Sequence, residues 1–262
     1  MALRLVIVGG GRMGEALLGG LLAAGWQAGE LGVVEPLAAR RAELTAQFPG
    51  VTTSEAPLAA AGTVLAVKPA AVAEAGKAAV RAGTERVLSI AAGVTVGAIE
   101  AVTGALPVVR AMPNTPALIG AGAAAIAAGS HAGESDLAWA EEVLGAVGIV
   151  VRVPEHLLDA VTGLSGSGPA YVFLVAEALV EAGVLAGLPR PTAAALVGQT
   201  LLGAARLLVE GDEGPEALRA GVTSPGGTTA AGLRVLEAHG VRSALLEAVA
   251  AATERSAELG RA

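Results

Sequence analysis

Apolar positions along this chain follow two regimes. Up to about residue 153, short apolar runs alternate with longer segments in which apolar residues recur every third or fourth position. Leu3–Val8 is almost continuously apolar, as expected of a strand buried on both faces. Comparable runs at 31–35, 63–67, 86–90 and 107–110 predict further strands, and helical spacing near 12–24, 37–48, 70–82 and 95–102 predicts the helices between them. Strand and helix in regular alternation build a doubly wound parallel sheet. Two more runs, 123–127 and 149–153, with a helix over 135–146 between them, extend its edge. Beyond Val153 the strand pattern stops. Ala/Leu-rich helical segments follow at about 170–186, 191–210, 230–238 and 241–259. The expected organisation is therefore an α/β domain over 1–155 and an all-helical domain over 156–262. These late helices are apolar on more than one face, which predicts burial against a second copy of the chain.

Glycine punctuates the first regime where chemistry is expected. Gly9, Gly11 and Gly14 fit G-x-G-x-x-G between the first strand and the first helix. That placement lets a dinucleotide pyrophosphate approach the backbone at a helix N-terminus, so the candidate cofactor residues are Gly9, Gly10, Gly11, Arg12, Met13 and Gly14. Glu35 ends the second strand about 20 residues further on, where a Rossmann-type domain carries its ribose-binding acid. A solvated strand-end glutamate is the other reading. A carboxylate there accepts from the ribose hydroxyls of NADH and repels the 2′-phosphate of NADPH, while Arg40 and Arg41 on the next helix would offset the repulsion. Both nucleotides are expected to work. Three more strand ends carry unusual residues: Val67, Lys68 and Pro69; Ala91, Ala92 and Gly93; and the segment 112–116 with Asn114. Each alone is also ordinary turn chemistry. Together on the carboxyl edge of one sheet, where ligands of open α/β sheets lie, they favour a site.

The helical half has its own cluster. Thr223, Ser224, Thr228 and Thr229 surround Pro225, Gly226 and Gly227, and the chain then runs directly into a helical pattern. A capping Thr or Ser, the free N–H groups of the first turn and the helix dipole make a receptor for a small anion such as a carboxylate. An ordinary capped loop is the alternative.

Composition removes several function classes. Of 262 residues 53% are hydrophobic but only 2% aromatic, so the core is built from Ala, Val and Leu, which favours close-packed helices. A net charge of −7 with no basic cluster argues against a nucleic-acid surface. The absence of cysteine excludes disulfides and thiolate chemistry, and His131, His156 and His239 lack ligand spacing, so no metal is expected. The chain enters its first strand with no signal-peptide pattern. Its most apolar stretches are interrupted by Glu177, Glu181, Gln199 and Arg206, so no membrane span is expected and a soluble, cytoplasmic protein is.

In order, the segments 7–14, 67–69, 89–93, 110–116, 164–171 (Leu-Ser-Gly-Ser-Gly-Pro-Ala-Tyr) and 222–229 (Val-Thr-Ser-Pro-Gly-Gly-Thr-Thr) resemble the pyrroline-5-carboxylate reductase family. The resemblance covers nearly the whole chain, and the last segment is its most specific part. It implies a Rossmann-type domain with a helical dimerisation domain similar to that of 6-phosphogluconate dehydrogenase. It also implies reduction of the cyclic imine 1-pyrroline-5-carboxylate to L-proline, usually with NADPH (NADP). The cofactor would then touch Gly9 to Gly14, Val67 to Pro69, Ala91 to Gly93 and Asn114. The substrate carboxylate would lie against Ser224, Gly226, Gly227, Thr228 and Thr229, in the same hydroxyl cluster as Thr223, with Thr229 serving the imine nitrogen as the candidate catalytic residue. Glu35 departs from the small polar or basic residues common at its place in that family. Two alternatives share the architecture. A 3-hydroxyacid dehydrogenase or imine reductase is one, although such a dehydrogenase uses a lysine in its helical half and this chain has none beyond Lys77. A non-catalytic NADP-binding sensor is the other, and it would not need the hydroxyl cluster.

Overall fold

The computed structural model describes residues 3–260, which divide into two compact units, 3–167 with 250–260, and 168–249. In the first unit the elements run β1 (Leu3–Val8), α1 (Arg12–Ala23), β2 (Leu31–Val34), α2 (Ala38–Gln47), β3 (Thr52–Ser54), β4 (Ala60–Leu65), α3 (Val72–Ala82), β5 (Val87–Ser89), α4 (Val96–Thr103), β6 (Val108–Met112), β7 (Gly122–Ala128), α5 (Glu134–Gly145), β8 (Gly148–Arg152) and α6 (Leu158–Val161). The described strands form one sheet in the order β3-β2-β1-β4-β5-β6-β7-β8. β1 to β6 are mutually parallel, with Val8 in register with Val34 on one side and with Leu65 on the other. The chain winds outward from β1 in one direction and returns to its other flank with β4, so a crevice opens beyond the carboxyl ends of β1 and β4.

Burial explains the strands. Leu5, Val6 and Ile7 of β1 and Leu31 and Val33 of β2 are each at most 1% exposed, as a central parallel sheet covered on both faces requires. Gly62 of β4 makes room for the Trp139 ring of α5, which its Cβ would overlap. Three details differ from the sequence reading. β3 is only Thr-Thr-Ser, with no apolar signal, and is held by pairing with β2. β4 starts at Ala60 rather than 63, because Ala60 and Gly62, which carry little apolar signal, pair with Leu3 and Leu5 of β1. β7 runs antiparallel to β6, with β8 parallel to β7, so the sheet is parallel-dominant with an antiparallel edge pair. The connection 113–121 is too short for the crossover that a parallel neighbour needs.

The junction 162–166 is a π-helical turn closed by Ser167 N–H donating to the Thr162 carbonyl at 2.8 Å. The Ser-Gly-Ser-Gly-Pro run thus offsets the helix rather than ending it. In the second unit α7 (Gly168–Leu185) packs on α8 (Arg190–Glu210), and a Cβ on Gly183 would stand 3.1 Å from the Cβ of Ala193. α9 (Pro215–Gly221) is a short helix the periodicity did not reveal, followed by α10 (Thr228–Ala238) and α11 (Val241–Leu259). The last turns of α11 belong to the first unit, where buried Ser256 donates to Asp159 of α6 at 2.6 Å.

Candidate functional site

The glycine loop after β1 has the build of a phosphate cradle. Gly9 has φ +108°, and a Cβ there would overlap the Ala66 carbonyl beyond β4. A Cβ on Gly14 would overlap the carbonyl oxygen of Gly9, which closes the loop onto α1. Gly11 is different, since a Cβ there meets no protein atom within 4 Å. Its open side therefore faces space that a ligand can occupy. The first backbone bond of α1 is Glu15 N–H to the Gly11 carbonyl, leaving the N–H groups of Arg12, Met13 and Gly14 with no backbone acceptor among the described residues. Free donors, a helix dipole and an open glycine face fit a dinucleotide pyrophosphate.

Both polar groups of Gly10 are held by side chains. Its N–H donates to Glu35 Oε2 at 2.9 Å, and its carbonyl accepts from Arg40 Nε at 2.8 Å. Glu35 is 7% exposed and its second oxygen accepts from the Leu37 N–H at 3.0 Å, so it braces the loop wherever else it acts. Arg40 also pairs with Glu15 and with Glu43, and Gln47 donates to Glu15. The hydrogen bonds from Arg40 and Gln47 hold the Glu15 carboxyl below the usual range. Arg41 donates to the carbonyls of Glu35 and Pro36, both at 2.7 Å, and pairs with Glu55. The sequence anticipated these arginines only as counter-charges to Glu35. Arg40 as a fastener of the glycine loop was missed, and only the fold of α2 against α1 reveals it.

The other strand ends gather as follows. Val67 is half-buried after β4, while Lys68 is exposed and leads a 3₁₀ turn, Pro69–Ala71. After β5, Ala91 is buried, Ala92 is exposed, and Gly93 turns the chain at φ +74°. Pro69, Ala92, Gly93 and Thr95 line a cavity of about 510 Å³, completed by Thr162, Ser167 and the last turns of α11 around Ser256 and Leu259. Arg110 of β6 is buried and pairs with Glu155 at 3.0 Å, and Glu155 accepts from the Val96 N–H at 2.6 Å, which fixes the start of α4 beside the cavity. Glu155 carried no sequence signal. Asn114 follows β6, and its side chain reaches Ala123 and Ser165.

The hydroxyl cluster lies in the second unit. Gly227 N–H closes a turn onto the Ser224 carbonyl at 3.0 Å, with Gly226 at φ +70° and the Gly227 α-carbon so close to Ser224 Oγ that a Cβ would overlap it. α10 starts at Thr228, and its N-cap is Gly227 with no side-chain cap bond. This corrects the expectation that Thr228 or Thr229 caps the helix, since both already lie within its first turn. Thr223 donates its hydroxyl to the Arg219 carbonyl at 2.6 Å and so continues α9. The first backbone bond of α10 is Ala231 N–H to Gly227, which leaves the N–H groups of Thr228, Thr229 and Ala230 without backbone acceptors among the described residues. Ser224 and Thr228 are exposed and Thr229 is half-exposed, so the turn and the first residues of α10 are open to solvent.

A glycine loop of this build on a doubly wound sheet, followed by helices with exposed apolar residues, defines the class of Rossmann-type proteins with a helical second domain. Residues 4–93 match the family model described as NADP oxidoreductase, coenzyme F420-dependent, and residues 155–259 match that described as pyrroline-5-carboxylate reductase dimerisation. The pyrroline-5-carboxylate reductase of Synechocystis sp. is 48% identical, with 100% of each chain covered. A solved pyrroline-5-carboxylate reductase from Coxiella burnetii superposes with a TM-score of 0.93 at 36% identity over 99% of both chains. The Plasmodium falciparum pyrroline carboxylate reductase, solved with NADP bound, gives 0.84 at 29% identity over 98% of both. The chain belongs to the pyrroline-5-carboxylate reductase family. By length and composition the helical stretches 155–185 and 190–210 are apolar enough to cross a membrane, although Glu177, Glu181, Gln199 and Arg206 interrupt them. Both lie within the dimerisation match.

Proposed function

We propose that this protein catalyses the NAD(P)H-dependent reduction of 1-pyrroline-5-carboxylate to L-proline, the last step of proline biosynthesis, as a cytoplasmic homo-oligomer. The observation that carries the substrate assignment is the turn 224–227 leading into α10. There hydroxyls and three unengaged N–H groups converge at the positive end of a helix, as a carboxylate requires. Residues 1–155 serve as the dinucleotide-binding domain and 156–262 as the substrate-binding and dimerisation domain. Exposed Phe173, Leu174 and Leu202 belong to the face that another copy covers.

When bound, the reduced nicotinamide supplies a hydride to the imine carbon. Gly9 to Gly14 hold its pyrophosphate, and Val67 to Pro69 and Ala91 to Gly93 shape the crevice for the rest, while the Asn114 amide is taken up by Ala123 and Ser165 instead. Ser224, Gly226, Gly227 and Thr228 hold the substrate carboxylate, with Thr223 setting the start of the turn. Thr229 orients the imine nitrogen. As a poor acid its hydroxyl relays a proton or serves an imine that arrives protonated, and nitrogen ends as the secondary amine. The decisive experiment mixes purified protein, NADPH and the imine and measures nicotinamide oxidation together with L-proline formed. Binding of NADPH without its consumption would make the chain a sensor. Equal turnover of a cyclic imine lacking the carboxylate would favour a general imine reductase.

NADPH is the expected cofactor and NADH a working substitute, with Glu35 as the discriminating residue. Glu35→Ser removes both the ribose acceptor and the brace on Gly10. We expect the ratio of NADPH to NADH catalytic efficiency to rise while both fall, by about 10-fold for NADH, the effect of a charged hydrogen bond worth ~1.5–3 kcal/mol. An unchanged ratio would leave Glu35 as a brace alone.

A further inference from the structure

We infer that Asn114 is a positioning residue for the reductase reaction, holding the π-helical junction 162–167 against the carboxyl edge of the sheet. The inference rests on the reductase reading above, but its geometry stands by itself. Asn114 occupies the N-cap of the 3₁₀ turn Thr115–Ile119, where an asparagine ordinarily caps the following N–H groups, yet it makes no side-chain cap bond. Its amide is spent on two other segments. Oδ1 accepts from the Ala123 N–H at the start of β7, at 2.9 Å, and Nδ2 donates to the Ser165 carbonyl in the junction, at 3.1 Å.

The sequence of the junction explains why the Ser165 carbonyl takes an outside donor. Four residues on, where an α-helix would supply its N–H, stands Pro169, which has none. The π-turn shifts the neighbouring bonds, with Ser167 donating five residues back to Thr162. Met112, at the end of the same strand that delivers Asn114, lies so close to Gly166 that a Cβ there would stand 2.6 Å from its Cε. Asn114 and Met112 therefore clamp the junction from one side. Thr162 and Ser167, at its two ends, line the cavity shared with Ala92, Gly93 and Thr95. A shift of the junction would move that wall without touching the glycine loop, where the dinucleotide gains its binding energy. Asn114 thus governs how well the reactants are placed, not how tightly the cofactor is held.

Asn114→Asp is the test, because it keeps the shape and the acceptor for Ala123 but cannot donate to Ser165. We expect kcat to fall about 10-fold, with the NADPH dissociation constant, measured by fluorescence titration without substrate, changed by less than about twofold. Amide exchange should speed up across 162–167 and not at the glycine loop. Pro169→Ala restores an N–H four residues beyond Ser165, so adding it to the aspartate variant should recover about threefold or more of the lost kcat. Asn114→Ser, which removes the bridge without adding charge, carries the same readings should the aspartate variant not fold. An NADPH dissociation constant that rises in proportion to the loss of rate, with exchange at 162–167 unchanged, would make Asn114 a direct cofactor contact and overturn the inference. So would an unaltered kcat. The titration and exchange arms read out even if the wild-type protein fails to reduce the imine, so failure of the reductase reading is seen separately.

Discussion

Gly14→Ala is expected to weaken NADPH binding by about 100-fold or more. The added carbon would overlap the Gly9 carbonyl oxygen, which belongs to backbone and cannot swing away as a side chain would. Either α1 tilts or the loop opens, and overpacking of this kind costs ~1–3 kcal/mol in stability before any ligand is considered. The melting temperature should fall along with affinity. Gly11→Ala is the informative partner, because its Cβ would meet no protein atom within 4 Å. It should fold with the wild-type melting temperature and still bind NADPH poorly, since the methyl group occupies ligand space. Titration of both variants with NADPH, alongside calorimetry, separates the two causes. If Gly14→Ala binds NADPH within about twofold of wild type, this loop is not the dinucleotide cradle.

Thr229→Ala is expected to lower kcat/KM by about 10- to 150-fold, the range of a hydrogen bond to a charged group worth ~1.5–3 kcal/mol. A contact to the imine nitrogen strengthens as charge changes there, so part of the loss should appear in kcat. Ser224→Ala, at an exposed hydroxyl in the turn before the helix, should act mainly on KM for the imine. Neither substitution should change NADPH affinity. The N-cap of α10 is Gly227, and Thr229 makes no cap bond, so its removal should leave the melting temperature nearly unchanged. That clears the comparison of the stability loss of ~0.5–2 kcal/mol that deleting a capping hydroxyl brings. A folded Thr229→Ala protein that reduces the imine at the wild-type rate would remove the hydroxyl from the mechanism and leave the carboxylate to the backbone donors alone.

The sequence by itself determined the parts of this protein that depend on neighbours along the chain. The unbroken apolar run of β1, the glycines that must accept positive φ or close backbone contact, and the helix start at Arg12 are local properties. Periodicity and steric freedom encode them residue by residue. Their order along the chain was enough to propose a cofactor loop early and an anion loop late. Tertiary structure decided what depends on a partner brought from far away. β3 is a strand because β2 offers it a ladder, and β7 is reversed because its connection to β6 is too short to cross the sheet. Arg40 reaches the Gly10 carbonyl, Glu155 reaches Arg110 and the start of α4, and Asn114 leaves its cap position for Ser165. Each of these side chains is polar and unremarkable in its local sequence. Which buried donor or carbonyl it must satisfy is set only once packing has removed water from that group, because a hydrogen bond left unmade in the interior costs more than one exchanged with solvent.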